Sequence, residues 1–320
     1  MVNAIHRGAA ITALPALGVG FSYMTEVPGE FYDTSLIDFV EVTPETLCRE
    51  IHRAGKQQII PVPEQLAVVQ SLAERFPLVL HGVQLSIGSV HGWNQAYLRM
   101  LDQIKRVLPF LWHSEHLSYQ TIADEQGHVR ETGIALPLPA TREVANMVSQ
   151  RCRSLLNRYD LPFLLENPAH YFPAVAHESG SDEFRLMNQI CDASGCGMLL
   201  DLHNLYCNAY NHGFDAWQAV QSLNLSKVVE IHVSGGRLQD GYWTDAHEGR
   251  VPEPVWRLLE QTLPRCPNIA GVLFEVFPDY APRLGLSAIR EELSCLRHLW
   301  QRYARGHIDD TDKFGAYDYG

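Results

Sequence analysis

Imidazole and carboxylate side chains follow one short apolar segment after another in this 320-residue sequence, which contains 15 histidines. The residues that share this placement, with two neighbouring carboxamides, are Glu41, His81, His113, Glu115, His116, Glu166, Asn167, Asp201, His203, Asn204, His232 and Glu275. Burying so many ionisable groups together without compensation would be very costly. Metal cations would neutralise the carboxylates and engage the imidazoles at the same time. The pattern therefore predicts a metal centre.

A further pair strengthens this prediction, because Asp245 and His247 lie two residues apart in the loop after the seventh apolar segment and can reach one ion. Imidazole and carboxylate donors without thiolate favour iron, manganese or zinc in a catalytic setting over a structural zinc site. The seven cysteines form no CxxC pair, which also argues against a thiolate zinc site or a disulfide framework. The candidates exceed the needs of one ion, so two or three metals are expected.

The elements that must position these residues are eight short, nearly continuously apolar segments, a pattern typical of parallel strands covered by helices. The predicted strands are Ala16–Tyr23, Ile37–Thr43, Leu78–Ser86, Val107–His116, Phe163–Asn167, Gly197–Leu202, Val228–Ser234 and Gly271–Phe277. Amphipathic helices are predicted between them at Glu64–Arg75, Asn94–Arg106, Thr141–Tyr159, Asp182–Ala193, Asp215–Leu223, Glu253–Leu263 and Ser287–Tyr303. This alternation predicts an α/β fold, a (β/α)8 TIM barrel. A doubly wound sheet is the alternative, but no phosphate-binding glycine motif follows any strand.

In a barrel the carboxyl ends of the strands meet at one face, so these distant side chains can share one pocket. One strand leaves a conflict. Side chains alternate along a strand, which groups His113 with Glu115 and opposes both to His116. His116 is therefore expected where the strand has ended or bulged.

A single barrel domain is expected over residues 1–305, followed by a polar tail over 306–320, with Ser118–Pro137 forming a hairpin or lid after the fourth strand. The net charge of −12, from 25 basic and 37 acidic residues, argues against nucleic-acid binding. No apolar run approaches the ~20 residues that a bilayer crossing requires. Because Met1–Ala16 lacks the features of a secretory signal, a cytoplasmic location is expected.

Ordered motifs along nearly the whole predicted barrel resemble a known family. They are Gly18-Val19-Gly20, Val40-Glu41-Val42, Leu80-His81-Gly82, Ser114-Glu115-His116, Leu165-Glu166-Asn167-Pro168, Leu200-Asp201-Leu202-His203-Asn204, Asn211-His212-Gly213, Glu230-Ile231-His232, Asp245-Ala246-His247 and Phe274-Glu275. This set resembles the multinuclear non-heme iron-dependent oxidative enzymes, long catalogued as a domain of unknown function and including the methanobactin-biosynthesis oxygenase type.

The resemblance implies a TIM barrel that holds two or three iron ions, as Fe2+ and Fe3+, and uses O2 as co-substrate. Carried over by position, the implied ligands are His81, His116, Glu166, Asp201, Asn204, His232, Asp245, His247 and Glu275. Glu166 is the candidate to bridge two irons, and loss of activity is expected on replacing Glu166 or His232. The chain departs from the family where Glu115 replaces an aspartate and His203 an asparagine.

The activity that the resemblance implies is oxidative modification of Cys or Asp residues in a ribosomally synthesised precursor peptide during natural-product biosynthesis. A small partner protein that presents the leader segment is also implied. The residues alone leave open a di- or trimetal hydrolase or isomerase on a xylose-isomerase-like barrel. The nearest basic residues to the strand ends are Arg237 and Arg250. Few basic side chains are therefore available to bind a phosphate group, which weakens that alternative. A metal-storage or scaffolding protein is a third hypothesis.

Overall fold

The computed structural model describes residues 11–33, 35–53, 56–126, 128–172 and 181–304. Its fourteen strands are β1 (Gly18–Ser22), β2 (Phe39–Val42), β3 (Cys48–Arg53), β4 (Lys56–Pro61), β5 (Leu78–Gly82), β6 (Phe110–His116), β7 (Ser118–Ala123), β8 (Val129–Pro137), β9 (Phe163–Glu166), β10 (Gly197–Asp201), β11 (Val228–Ser234), β12 (Arg237–Gln239), β13 (Tyr242–Thr244) and β14 (Gly271–Glu275). Eight of them close a parallel barrel in the order β1-β2-β5-β6-β9-β10-β11-β14, with β14 returning to β1. Each lies within one of the eight predicted segments, and the TIM barrel is confirmed.

Nine helices lie within the described part of the chain. They are α1 (Pro63–Ala73), α2 (Gln95–Ile104), α3 (Arg142–Tyr159), α4 (Ser181–Ser194), α5 (Leu202–His212), α6 (Ala216–Gln221), α7 (Glu253–Thr262), α8 (Ala281–Leu284) and α9 (Leu286–Tyr303). All seven predicted helices are present. The sequence pattern missed α5 and the four-residue α8. None of the described helices is long and apolar enough to cross a membrane.

Three antiparallel hairpins extend the barrel: β3–β4, β7–β8 and β12–β13. The β7–β8 hairpin is the predicted insertion after the fourth barrel strand. The β3–β4 hairpin was not predicted, because its first strand, Cys48–Arg53, is largely polar. The predicted tail over 306–320 lies outside the described residues.

The barrel interior has two layers, because inward-facing positions recur every second residue along each strand. One layer, here called the floor, is an apolar cluster separate from the main core: Phe39, Val79, Trp112, Leu164, Leu199, Val229, Ala270 and Leu273. Gly20 leaves room for it, because a Cβ atom there would collide with the Phe39 ring. The other layer, here called the mouth, lies two residues beyond a floor residue on β2, β5, β6, β9, β10 and β14, and β1 and β11 complete it: Ser22, Glu41, His81, Ser114, Glu166, Asp201, His232 and Glu275.

Candidate metal centre

The first group of the mouth joins two imidazoles to Glu166, the last residue of β9. The Nε2 atoms of His81 and His116 each lie 3.3 Å from Glu166 Oε2. Ser114 Oγ donates to the Leu80 carbonyl at 3.2 Å, so its oxygen is free to accept from His81 Nδ1 at 3.0 Å. A proton on Nδ1 leaves Nε2 of His81 with a lone pair directed at the carboxylate. The three ligand atoms lie within 4.8 Å of one another, which is close enough to share one ion.

A second group surrounds His232 on β11. Its Nε2 lies 3.1 Å from Glu41 Oε2, and its Nδ1 lies 3.3 Å from Glu275 Oε2. Ser22 Oγ donates to the other oxygen of Glu41 at 3.0 Å and orients that side chain. Glu41 is a functional candidate that the implied ligand set omits. Its signal in the sequence is its position at the end of a short apolar strand.

Glu166 also belongs to a third group, with Asp201 and His232, and so connects the first two. Asp201 caps α5 by accepting from the Asn204 backbone N–H at 2.7 Å through Oδ1. The side-chain amide of Asn204 donates to Glu166 Oε1 at 3.3 Å. The beginning of α5 thus places a carboxylate and a carboxamide beside the carboxylate expected to bridge two ions.

The remaining predicted ligands lie in the loop after β13 and complete the ring. His247 Nε2 lies 2.7 Å from Asp245 Oδ1, and its Nδ1 lies 3.3 Å from Glu275 Oε2. His247 has a φ of 47°, a left-handed conformation that non-glycine residues rarely adopt and that often marks functional sites. The Phe277 ring stacks on its imidazole at 4.2 Å.

All nine implied ligands therefore belong to one connected cluster, and a cation fits it. Seven buried atoms of this cluster have no hydrogen-bond partner within the described residues: Glu41 Oε2, His116 Nδ1, Glu166 Oε2, Asp201 Oδ2, Asn204 Oδ1, His232 Nε2 and His247 Nδ1. Buried polar atoms are normally paired, so each orphan atom needs an explanation. Coordination of metal ions would satisfy the oxygen atoms and the nitrogen atoms of His232 and His247 among them.

The pKa shifts reflect crowded, buried charge. Burial raises the pKa of Glu41 to about 7 and that of Asp201 to about 6, although the charge of His232 partly opposes both shifts. Burial lowers the pKa of His81 well below its usual value. Burial also opposes the charged form of His247, but Asp245 and Glu275 outweigh it and raise its pKa to about 10. The cluster is thus rich in negative charge that a cation would neutralise.

Two strand residues do not join the cluster. His113 and Glu115 face away from the barrel interior, where His113 Nε2 lies 3.0 Å from Glu115 Oε1 and the His113 ring packs against Phe163. His116 is the last residue of β6, paired with Glu166 in register, and it faces inward. The expectation that His116 lies beyond the strand or on a bulge is wrong. His116 lies on the inner face of β6, and His113 and Glu115 lie on its outer face.

Asn167 and His203 lie beside the cluster. The Asn167 side chain bridges β9 to β10 by donating to the Asp201 carbonyl at 2.8 Å and accepting from the Asp201 N–H at 2.9 Å. It therefore has a structural role. His203 is fully buried and lies close to Cys207 and Asp245.

A closed parallel barrel with imidazoles and carboxylates at the carboxyl ends of its strands defines the class of TIM-barrel enzymes whose sites hold metal ions. The family described as "RiPP precursor modification enzyme MbnB/TglH/ChrH" matches residues 18–298. RiPP denotes a ribosomally synthesised and post-translationally modified peptide. The chain belongs to this family, the multinuclear non-heme iron-dependent oxidative enzymes that the motifs indicated.

Similar proteins cover nearly the whole chain, and solved structures share its fold. A UPF0276 protein of Caulobacter vibrioides is 29% identical over 300 residues, covering 93% of this chain and 99% of that protein. A UPF0276 protein of Rhizorhabdus wittichii is 30% identical over 280 residues, covering 87% and 92%. A D-psicose 3-epimerase matches with a TM-score of 0.51 at 11% identity, over 90% of this chain and 99% of that chain. A 3-keto-D-glucoside 4-epimerase from E. coli matches with a TM-score of 0.51 at 14% identity, over 88% and 98%. These two likenesses show the fold alone.

Proposed function

We propose that this protein is an O2-dependent multinuclear iron enzyme that oxidatively modifies Cys or Asp residues of a precursor peptide. The observation that carries the proposal is the position of Glu166, whose carboxylate belongs to two ligand groups at once. A carboxylate has two oxygens and can bridge two ions. The family supports a peptide as substrate.

The proposed ligands form groups, each of which would contribute to one ion. His81, His116 and Glu166 would hold one iron ion, and His232 with Glu41 and Glu275 would help to hold a second. Asp201, grouped with Glu166 and His232, would be a ligand between the two. Asp245 and His247, with Asn204, supply donors for a third or complete the coordination of the others. Bound iron would supply one-electron chemistry with O2.

The chain's own residues prepare this site in two ways. The floor closes the barrel below the ligands with apolar side chains, which keeps water away from that side. A low-polarity surrounding also strengthens the attraction between the carboxylates and cations. Catalytic roles are proposed for Glu166 and His232, because both lie where ligand groups meet.

A cleft beside the mouth is the proposed entry for the peptide. It has a volume of about 590 Å3 and lies between the loop after β5 and the β7–β8 hairpin, with Val83, Trp93, Gln120 and Ile134 in its lining. Val83 and Ile134 are exposed apolar residues. Val83 is two residues beyond His81, so the cleft begins next to the end of β5 that carries a proposed ligand. A small protein that presents the leader segment is the proposed partner.

Co-expression with a candidate precursor tests this function. The candidate is a short neighbouring reading frame that encodes a leader followed by repeated Cys or Asp. Mass spectrometry of the peptide is expected to show a mass change with the wild-type enzyme and none with His232→Ala. In purified reactions the change should require Fe2+ and O2. Turnover with Mg2+, Mn2+ or Zn2+ in the absence of O2 would instead support the isomerase or hydrolase alternative.

A further inference from the structure

A hydrogen-bonded chain of three side chains ends on the Asp245 carboxylate. Trp243 belongs to β13, and His203 lies in the first turn of α5. The Trp243 indole Nε1 lies 3.0 Å from His203 Nε2, and His203 Nδ1 lies 3.1 Å from Asp245 Oδ1. The imidazole is fully buried. Both of its nitrogens therefore have a partner, and the identity of the partners fixes the tautomer.

The indole N–H can only donate a hydrogen bond. His203 Nε2 must therefore accept, so a neutral ring carries its proton on Nδ1, the nitrogen that faces Asp245. We infer that His203 is a positioning residue, which donates Nδ1–H to Asp245 and is locked in this tautomer by Trp243. This inference rests on the proposed metal centre, in which Asp245 is a ligand.

The competing interpretation makes His203 a ligand itself, because His203, Cys207 and Asp245 lie close enough to form a metal group. Two distances argue against it. Cys207 Sγ lies 3.8 Å from each ring nitrogen of His203, which is not the arrangement of two ligands that direct lone pairs at one ion. A metal on either nitrogen would also displace Trp243 or Asp245 from its hydrogen bond.

The hydrogen bonds from Trp243 to His203 and from His203 to Asp245 would determine the orientation in which Asp245 coordinates a metal ion. Asp245 Oδ1 also lies 2.7 Å from His247 Nε2, and its backbone N–H donates to the Tyr171 hydroxyl at 2.8 Å. With the backbone and one oxygen restrained, the remaining oxygen has a defined direction. Partners that orient ligands in this way typically change metal affinity by about 10- to 100-fold.

Anaerobic Fe2+ titration and metal analysis of the full-length chain test the inference. His203→Ala should weaken the binding of one iron ion by about 10- to 100-fold. His203→Asn is the matched control, because its amide nitrogen lies near the position of Nδ1 and can still donate to Asp245. It should retain most of the affinity. Trp243→Phe should give a smaller loss than His203→Ala, and Cys207→Ala should give none.

Several results would overturn the inference. Iron binding by His203→Ala that equals the wild type would remove any role, and an equal loss in His203→Asn and His203→Ala would indicate a ligand. With Co2+ as the probe, a thiolate charge-transfer absorption that Cys207→Ala abolishes would make His203 and Cys207 a metal site. A wild-type chain that binds no iron would overturn the proposed function. That result is distinct from a failure of the inference about His203, which requires a wild-type chain that does bind iron.

Nitrogen NMR of the zinc-loaded, histidine-labelled full chain provides a readout that a merely structural role would not move. His203 should appear with a proton on Nδ1 and none on Nε2, and Trp243→Phe should shift the Nε2 resonance. A protonated Nε2, or a nitrogen with the shift of a zinc ligand, would contradict the inference without reference to activity.

Discussion

The floor and the mouth of the barrel lie two residues apart on six of the eight barrel strands, yet they differ in what their side chains leave unsatisfied. On β2, β5, β9 and β10 an apolar floor residue precedes an ionisable mouth residue by two positions. The floor consists almost wholly of apolar contacts. Its indole, Trp112, donates from Nε1 to the buried Glu230 at 2.7 Å. The mouth leaves carboxylate oxygens and imidazole nitrogens without partners in the described chain. The floor is thus organised for stability, and the mouth for ligand binding.

The largest expected effect is on stability and belongs to the floor. Trp112→Ala removes a fully buried indole and leaves Glu230 without its donor. It should lower the free energy of unfolding by about 3–5 kcal/mol, measured by urea denaturation of the metal-free protein. Iron stoichiometry under native conditions should stay close to that of the wild type. An unfolding free energy within about 1 kcal/mol of the wild type would break the distinction between the layers.

The converse effect is expected in the mouth. Asp201→Asn keeps the side-chain oxygen that caps α5, since Asn is as good a cap as Asp, but it removes a charged ligand. Iron affinity should fall by more than about 100-fold, beyond the range for residues that only orient ligands. The metal-free protein should be as stable as the wild type or more so, because a buried charge is lost. A loss of stability without a loss of iron would show that Asp201 is only structural.

The two layers should also differ in their response to pH. Burial raises the pKa of Glu41 to about 7 and that of Asp201 to about 6, so below these values metal must displace protons from both carboxyl groups. Iron affinity should therefore decrease by about 500-fold as the pH falls from 7 to 5, about 50-fold from Glu41 and about tenfold from Asp201, with proton release on binding. A floor variant such as Leu199→Ala should show the same pH dependence. A flat profile for the wild type would contradict the proposed ligand roles of these carboxylates.

A smaller effect is expected from a residue that orients a ligand. The Ser22 hydroxyl donates to Glu41 Oε1 at 3.0 Å. Ser22→Ala should weaken iron binding by about tenfold, the low end of the range for such partners. His113→Asn is a useful control, because His113 lies on the outer face of β6 and should leave the iron affinity unchanged. A larger effect from His113 than from Ser22 would invalidate the assignment of faces.

The sequence was sufficient to predict the barrel and to name most of the ionisable side chains that lie together at its mouth. Nearly continuous apolar segments predict strands buried on both faces, so all eight barrel strands could be found. The β3–β4 hairpin could not be found, since Cys48–Arg53 carries no apolar alternation. The sequence pattern did not predict α5, because its first turn carries His203 and Asn204, which contribute to the site rather than to an amphipathic helix pattern.

The assignment of faces on β6 shows where a single sequence is ambiguous. Ionisable residues occur on both faces of this strand, so alternation alone cannot say whether His113 or His116 enters the barrel. In the structure, Trp112 shows which residues of β6 face the barrel interior. Its indole packs in the floor, and Ser114 and His116 follow on the same face. Glu41 was named as a strand-end candidate but was not in the ligand set implied by the family motifs, and the closed barrel brings it within 3.1 Å of His232.

Metal analysis of the anaerobically purified protein is the most direct test of the central claim that Glu166 joins two metal groups. After expression with iron, the wild-type chain is predicted to contain two or three iron ions. Glu166→Ala is predicted to lose two of them while remaining folded, as judged by circular dichroism. Iron at background level in the wild type, or an unchanged iron content in folded Glu166→Ala, would contradict the claim.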